Sequence, residues 1–287
     1  LRGEWLRTCE VGNVPELPEV ETIRRTLQER ILHRRIQGVR VSYQRILQNC
    51  SELELEEALQ NREFVNLRRR GKYLIAYLDS QDRVVIHLRM TGQLVVIPRS
   101  YPMEKHVSLQ IYLCSDEELR LIDQRKFATV YLLKEPGFDS VKGLANLGME
   151  PLEEGFTCMY LMEQVKGRTA AIKSVLLDQR RVAGLGNIYV DESLYRAGIF
   201  PGRPAGSLSN TEIDQLHHSI QQVIGEAIEH RGTTFRDYVD GDGRKGDFQK
   251  LLRVYGREGQ PCRSCGKPID RMKLAGRSSF FCSLCQK

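Results

Sequence analysis

The feature that most constrains this chain lies at its end: Cys262-x2-Cys265 is followed, after 16 residues, by Cys282-x2-Cys285. Each pair offers two thiolates from one tight turn, and two such turns at this separation have the spacing of a four-thiolate zinc site. Soft tetrahedral ligation suits Zn²⁺, with iron as the main rival, whereas Mg²⁺ and Ca²⁺ take oxygen ligands. Four cysteines close the coordination shell. Cys262, Cys265, Cys282 and Cys285 therefore predict one structural Zn²⁺, holding a module too small to support itself on a core.

Charge points the same way. The net charge of +6 is modest for 287 residues, but residues 231–287 hold 13 Lys and Arg against 6 Asp and Glu, so the C-terminal fifth carries the whole excess. Between the cysteine pairs, Lys267, Arg271, Lys273 and Arg277 fall on an expected β-hairpin. A basic surface on a metal-stiffened hairpin predicts phosphate binding, the alternative being an ordinary solvated face. Cys9, Cys50, Cys114 and Cys158 are scattered and read as reduced small hydrophobes.

At 41% hydrophobic and 28% charged, the remaining chain is ordinary globular sequence with room for two or three modules. It has no apolar run long enough to span a membrane, and residues 1–14 lack the apolar centre of a secretory signal. A cytoplasmic protein without a membrane partner is expected.

The order of patterns predicts an α+β, multidomain fold. Val20, Ile23, Leu27 and Ile31 form one stripe of an amphipathic helix over residues 18–32, with Glu19 and Glu21 suited to its positive end. Short β-like runs follow at 36–41, 64–67, 73–78, 84–90, 107–114, 119–122 and 129–133, with a short helix at 52–60, which suggests an antiparallel sandwich. Residues 134–156, rich in Gly, Pro and acid, read as a linker. Helices are expected at 161–165, 171–177, 188–197 and 210–229. The division drawn from these patterns is 15–133, 134–156, 157–247 and 248–287. Within it, 233–247 is a charged, glycine-rich loop, either simply mobile or an active-site lid.

Three motifs occur in order: Pro15-Glu16-Leu17-Pro18-Glu19-Val20-Glu21-Thr22, then Gly184-Leu185-Gly186-Asn187-Ile188-Tyr189-Val190-Asp191-Glu192, then the four cysteines. Together they closely resemble the bacterial formamidopyrimidine-DNA glycosylase family over residues 15–287. The resemblance implies an N-terminal β-sandwich with a leading helix, a helix-two-turn-helix domain and a C-terminal zinc finger. It also implies the function: excision of oxidised purines from double-stranded DNA by a bifunctional glycosylase and abasic-site lyase acting as a monomer.

The resemblance further implies that an N-terminal proline amine attacks C1′, expels the base and holds the sugar as an iminium before β- and δ-elimination. By motif position Pro15 is that nucleophile and Glu16 the acid/base that assists ring opening; Glu19 helps organise the site. Without the resemblance, both acids read as complements to a helix dipole. Lys72, in Arg68-Arg69-Arg70-Gly71-Lys72, falls on the phosphate beside the lesion, and Lys173 falls near the lesion. Met90, Arg125 and Phe127 fill the gap left by the extruded nucleotide, although Met90 alone would read as core. His106 matches a DNA contact, or is a solvated loop histidine. Asn187 and Arg277 match phosphate clamps.

The chain departs from the family pattern twice. Ala128 follows Phe127 where glycine is usual. An internal Pro15 is also a tertiary amide with no free amine. Residues 1–14 are therefore expected to be absent from the mature protein, with translation starting at Val14 and the initiator methionine removed. Two rivals stand beside this reading. An endonuclease VIII-like glycosylase is disfavoured by Glu16-Leu17-Pro18 and by the Met90 and Arg125/Phe127 pattern. A non-catalytic zinc-dependent DNA binder would result if Pro15 stayed blocked.

Overall fold

The computed structural model describes residues 14–134, 137–235 and 237–287. They form two compact units. One comprises 14–15, 19–142 and 231–249; the other comprises 16–18, 143–230 and 250–287. This grouping differs from the division drawn above, because 231–249 joins the N-terminal strands rather than the helical segment.

The N-terminal unit contains nearly all of α1 (Leu17–Ile31), then β1 (Ile36–Val41), α2 (Glu52–Leu59), β2 (Phe64–Arg70), β3 (Tyr73–Leu78), β4 (Arg83–His87), β5 (Gly92–Pro98), β6 (Val107–Leu113), β7 (Glu117–Asp123) and β8 (Thr129–Leu133). The strands make two antiparallel four-stranded sheets, ordered β1-β6-β7-β5 and β2-β3-β4-β8. One core joins Val20, Ile23, Leu27 and Ile31 of α1 to inward residues of both sheets, such as Leu74, Val84, Leu109 and Leu121. The helical stripe and the sandwich are thus as the spacing predicts.

Two differences have physical reasons. Residues 92–98 form a strand that the pattern did not suggest, because Leu94 to Ile97 run apolar without alternation between Gly92 and Pro98. This strand is a sheet edge, where a terminal proline removes no ladder bond, and its Val96 amide instead donates to the Gly241 carbonyl at 3.0 Å. The strand expected to reach Met90 stops at His87. There Arg89 adopts a φ of 57° and the Gly92 amide turns back to the Leu88 carbonyl at 3.1 Å.

The second unit is built on α4 (Cys158–Val165), α5 (Ile172–Leu177), α6 (Asn187–Arg196) and α7 (Asn210–Glu229), after the short α3 (Lys142–Ala145). α3 sits in the stretch read as a linker, and Val141, Leu144 and Phe156 around it are buried. α7 has the predicted bounds: Ser209 and Glu212 form a reciprocal capping box, and Ile213, Leu216, Ile220, Val223, Ile224 and Ala227 are buried along one stripe. The unit ends in a hairpin of β9 (Asp270–Leu274) and β10 (Arg277–Phe281). Its two-residue turn, Ala275-Gly276, has φ of 48° and 77°, the left-handed pair that matches strand twist in a tight hairpin.

Candidate active site and metal centre

The Pro15–Thr22 motif is tied to the glycine motif by close packing. The Glu16 carboxylate accepts hydrogen bonds from the Ile188 amide at 3.1 Å and the Tyr189 amide at 3.5 Å, at the start of α6. Gly186, at the N-cap, has no side chain to satisfy these donors, so a carboxylate from 172 residues earlier does so. A Cβ on Gly186 would lie 2.2 Å from Glu16 Cδ, and one on Gly184, whose φ is +88°, would lie 2.5 Å from Leu17 Cδ1. Glycine is required at both positions by this approach. The Leu17 amide adds a bond to the Gly184 carbonyl at 3.1 Å. Pro15, directly before Glu16, is buried.

Within the same unit, Lys173 and Asn187 converge on one peptide group, next to Arg277 in the chain. The Lys173 ammonium donates to the Ser278 carbonyl at 2.8 Å and to Asp191 at 2.7 Å; the Asn187 amide donates to the same carbonyl at 2.9 Å. Arg277, the neighbour of Ser278, is exposed at the hairpin turn. Lys173 itself is 0% exposed, so its ammonium holds the hairpin in place rather than facing solvent. Burial lowers its pKa against the opposing pull of Asp191, whose own pKa burial raises to about 7 despite the lysine.

Asp191 also accepts from the Phe280 amide at 2.9 Å, and the adjacent Glu192 accepts from the amides of Arg253, Val254 and Tyr255 at 2.8–2.9 Å. These two carboxylates of α6 fasten the finger and the segment leading into it.

The N-terminal unit brings a second group together at one end of its sheets. Asp123, fully buried at the end of β7, accepts from the Thr91 hydroxyl at 2.5 Å, the Arg125 amide at 3.2 Å and the Ala128 amide at 2.7 Å. Its own amide donates to the His106 carbonyl at 2.9 Å. One residue therefore orders the turn of Met90, the turn of Arg125 and Phe127, and the approach of His106.

Phe127 is 50% exposed, with the Arg125 guanidinium 5.0 Å from its ring centre; Met90 is half-buried at its turn and not in the core. Ala128 fits within the core beside them. Lys72 lies in the β2–β3 turn, where Gly71 takes a φ of 56°. The neighbouring His87 is held neutral, its pKa lowered to about 3 by burial first and then by Arg89 and Lys72.

Glu19 accepts from the Thr233 amide at 2.7 Å, so the glycine-rich loop begins against α1. Further along the loop, the Gly241 amide donates to the Thr26 hydroxyl at 2.9 Å.

The four cysteine sulfurs lie within 4.8 Å of one another, with Cys262 to Cys285 at 3.9 Å and Cys265 to Cys282 at 3.4 Å. Tetrahedral zinc with Zn–S bonds of about 2.3 Å requires sulfurs about 3.8 Å apart. The donor set and spacing fit one structural Zn²⁺, which contributes folding energy to the finger.

Asp123, Asp191 and Glu192 were not assigned from sequence. Most of their partners are backbone amides, which carry no residue identity, and Lys173 and Thr91 lie far from them in sequence; the Asx-turn potential of Asp123 before Arg125 is a local signal.

Comparison with known proteins gives the family. Residues 14–130 match the formamidopyrimidine-DNA glycosylase N-terminal domain, 147–239 the H2TH domain of that enzyme, and 259–287 the zinc finger found in FPG and IleRS. Formamidopyrimidine-DNA glycosylase of Pelotomaculum thermopropionicum is 43% identical over 274 residues, covering 96% of this chain and 99% of that protein. The Desulfitobacterium hafniense protein is 46% identical over 273 residues, covering 95% and 100%.

Among solved structures, MutM (Fpg) of Thermus thermophilus aligns with a TM-score of 0.86 at 36% identity, covering 95% of this chain and 98% of that one. Wild-type Fpg of Lactococcus lactis, in complex with N7-benzyl-Fapy-dG DNA, aligns at 0.88 and 37%, covering 95% and 100%. With two motif-bearing ends packed as described and matches spanning both units, the chain belongs to the formamidopyrimidine-DNA glycosylase family.

Proposed function

We propose that this protein excises oxidised purines, 8-oxoguanine and formamidopyrimidines, from duplex DNA and then cleaves the resulting abasic site. The observation that carries the reading is the seat of Glu16 on the first amides of α6, which fixes the residue after Pro15 by two glycines that admit no side chain.

In this reading the Pro15 nitrogen attacks C1′, and the N-glycosidic bond breaks with its electron pair on the departing base. Glu16 moves the proton that opens the sugar ring at O4′, leaving a cationic iminium between proline and sugar. Elimination at the β and δ positions then releases the DNA ends, and hydrolysis of the iminium returns the amine. An α-amino group titrates near pH ~7.7–8.0, so a neutral fraction exists at physiological pH. Met90, Arg125 and Phe127 fill the vacated position in the duplex, while Lys72, Asn187, His106 and Arg277 hold phosphates. Lys173 acts here by holding the Arg277 turn near the lesion. DNA places the enzyme at the nucleoid in the cytoplasm.

The chemistry requires Pro15 to be a terminal amine, so the proposal includes a mature chain that starts there. Borohydride reduction during reaction with 8-oxoguanine·cytosine duplex should then trap a covalent adduct through Pro15 in the chain lacking 1–14. Pro15→Gly should lose most turnover and keep most duplex affinity. Absence of an adduct from the Pro15-terminal protein would overturn the assignment, and faster excision of thymine glycol than of 8-oxoguanine would move the substrate class to oxidised pyrimidines.

A further inference from the structure

The metal centre has a neighbour that its cysteine motif does not contain. Tyr195, three residues beyond Glu192 on α6, places its hydroxyl 3.2 Å from Cys262 Sγ and 2.8 Å from Ser264 Oγ. With zinc bound, Cys262 is a thiolate and only accepts, so in the Tyr195–Cys262 bond the tyrosine is the donor, and its oxygen is then open to accept from Ser264. The result is a short relay, Ser264 to Tyr195 to Cys262, in which each hydroxyl has one direction.

Position makes this relay consequential. Cys282 is fully buried and Cys262 nearly so, but Cys265 is exposed and Cys285 half-buried. Tyr195, Ser264 and Cys285 line an open groove of about 680 Å³, whose other wall includes Arg196, Asp214 and His218. Of the four cysteines Cys285 lines that groove, so a chelator or an electrophile within it meets the metal centre there, with Tyr195 in the same lining. A donor on a metal thiolate draws charge away from sulfur, which makes it a poorer nucleophile and fixes the ligand's orientation.

We infer that Tyr195 is a positioning residue of the zinc centre, donating a hydrogen bond to the Cys262 thiolate and slowing metal loss through the groove. It is independent of the proline chemistry, since it rests only on the hydroxyl geometry and the four-thiolate site. It also gives α6 a further tie to the finger, beside Asn187, Asp191 and Glu192.

The test uses the full chain loaded with Zn²⁺ or Co²⁺. Tyr195→Phe keeps the ring and removes the proton. It should weaken zinc affinity about ten- to a hundredfold, the range for loss of a partner that orients a metal ligand, and speed zinc transfer to a chromogenic chelator. Ser264→Ala should shift both in the same direction by less. In the Co²⁺ form, Tyr195→Phe should move the sulfur-to-cobalt charge-transfer band to lower energy, because the sulfur electrons lose the stabilising proton. Faster metal release with an unmoved band would assign Tyr195 to packing alone and overturn the inference, as would parental release and spectrum in Tyr195→Phe.

Discussion

The turns of Met90 and of Arg125 and Phe127 in the N-terminal unit and the C-terminal finger meet the same demand by different means. Each must hold an exposed cationic residue, Arg125 in one and Arg277 in the other, on a turn with little apolar contact of its own. Arg125 stands on two sheets with a shared core, so a single carboxylate, Asp123, is enough to order the turns at their end. Within 259–287 the buried apolar side chains are Ile269, Phe280 and Phe281 besides two cysteines, and it takes a metal and the carboxylates of α6 to hold the finger. A buried carboxylate that accepts several backbone amides is the shared device; the metal is what a missing core demands.

Removing the metal should separate the two regions most. Cys265→Ser, or exhaustive chelation, should cost more than about a hundredfold in duplex affinity, given that structural zinc supplies folding energy to such a module. Calorimetry should still show the transition of the N-terminal unit; loss of both transitions together would mean that the sheets depend on the finger.

Next in size, Asp123→Ala strands the buried amide of Ala128 and takes one of two acceptors from the Arg125 amide, the other being the Thr91 hydroxyl at 3.1 Å. At about 1–3 kcal/mol for each unsatisfied group, lesion turnover should fall about ten- to a hundredfold, with duplex affinity changing far less. Asp123→Asn, which keeps an acceptor, should restore part of the turnover. An affinity loss as large as the rate loss would show that the turns act in general DNA binding instead.

The smallest effect concerns acid. Burial would raise the pKa of Glu21, but the Arg24 and Arg25 hydrogen bonds and the charges of Arg24 and Arg69 prevail and lower it to about 2. A depressed folded-state pKa adds stability that is present above the ordinary value of 4.5 and is lost as pH falls towards 2. Glu21→Gln should flatten that part of the denaturation profile of the N-terminal unit. An unchanged slope between these pH values would assign the acid sensitivity elsewhere.

Much of this architecture is legible in the residues. The stripe of α1, the capped period of α7 and the paired cysteines each write their structure locally, because helix spacing and ligand spacing are short-range. β5 is not legible, since an unbroken apolar run lacks the period of a strand with one wet face. At the site, Pro15, Glu16, Asn187 and the wedge residues stand in recognisable motifs. Asp123 stands in none, and Glu192 lies in the glycine motif with no role legible there, because both accept from peptide groups; Lys173 looks like a surface cation until its bonds to Asp191 and Ser278 are seen.

The seat of Glu16 on α6 bears on how the chain assembles. Most helix caps form within a few residues and can appear as soon as the helix does. Here the two amides at the entrance to α6 wait for a carboxylate 172 positions upstream, so that end of the helix closes only after a long loop has been drawn in. Synthesis delivers the carboxylate well before its receptor. A molecule in which Glu16 is seated has therefore already formed the entrance to α6.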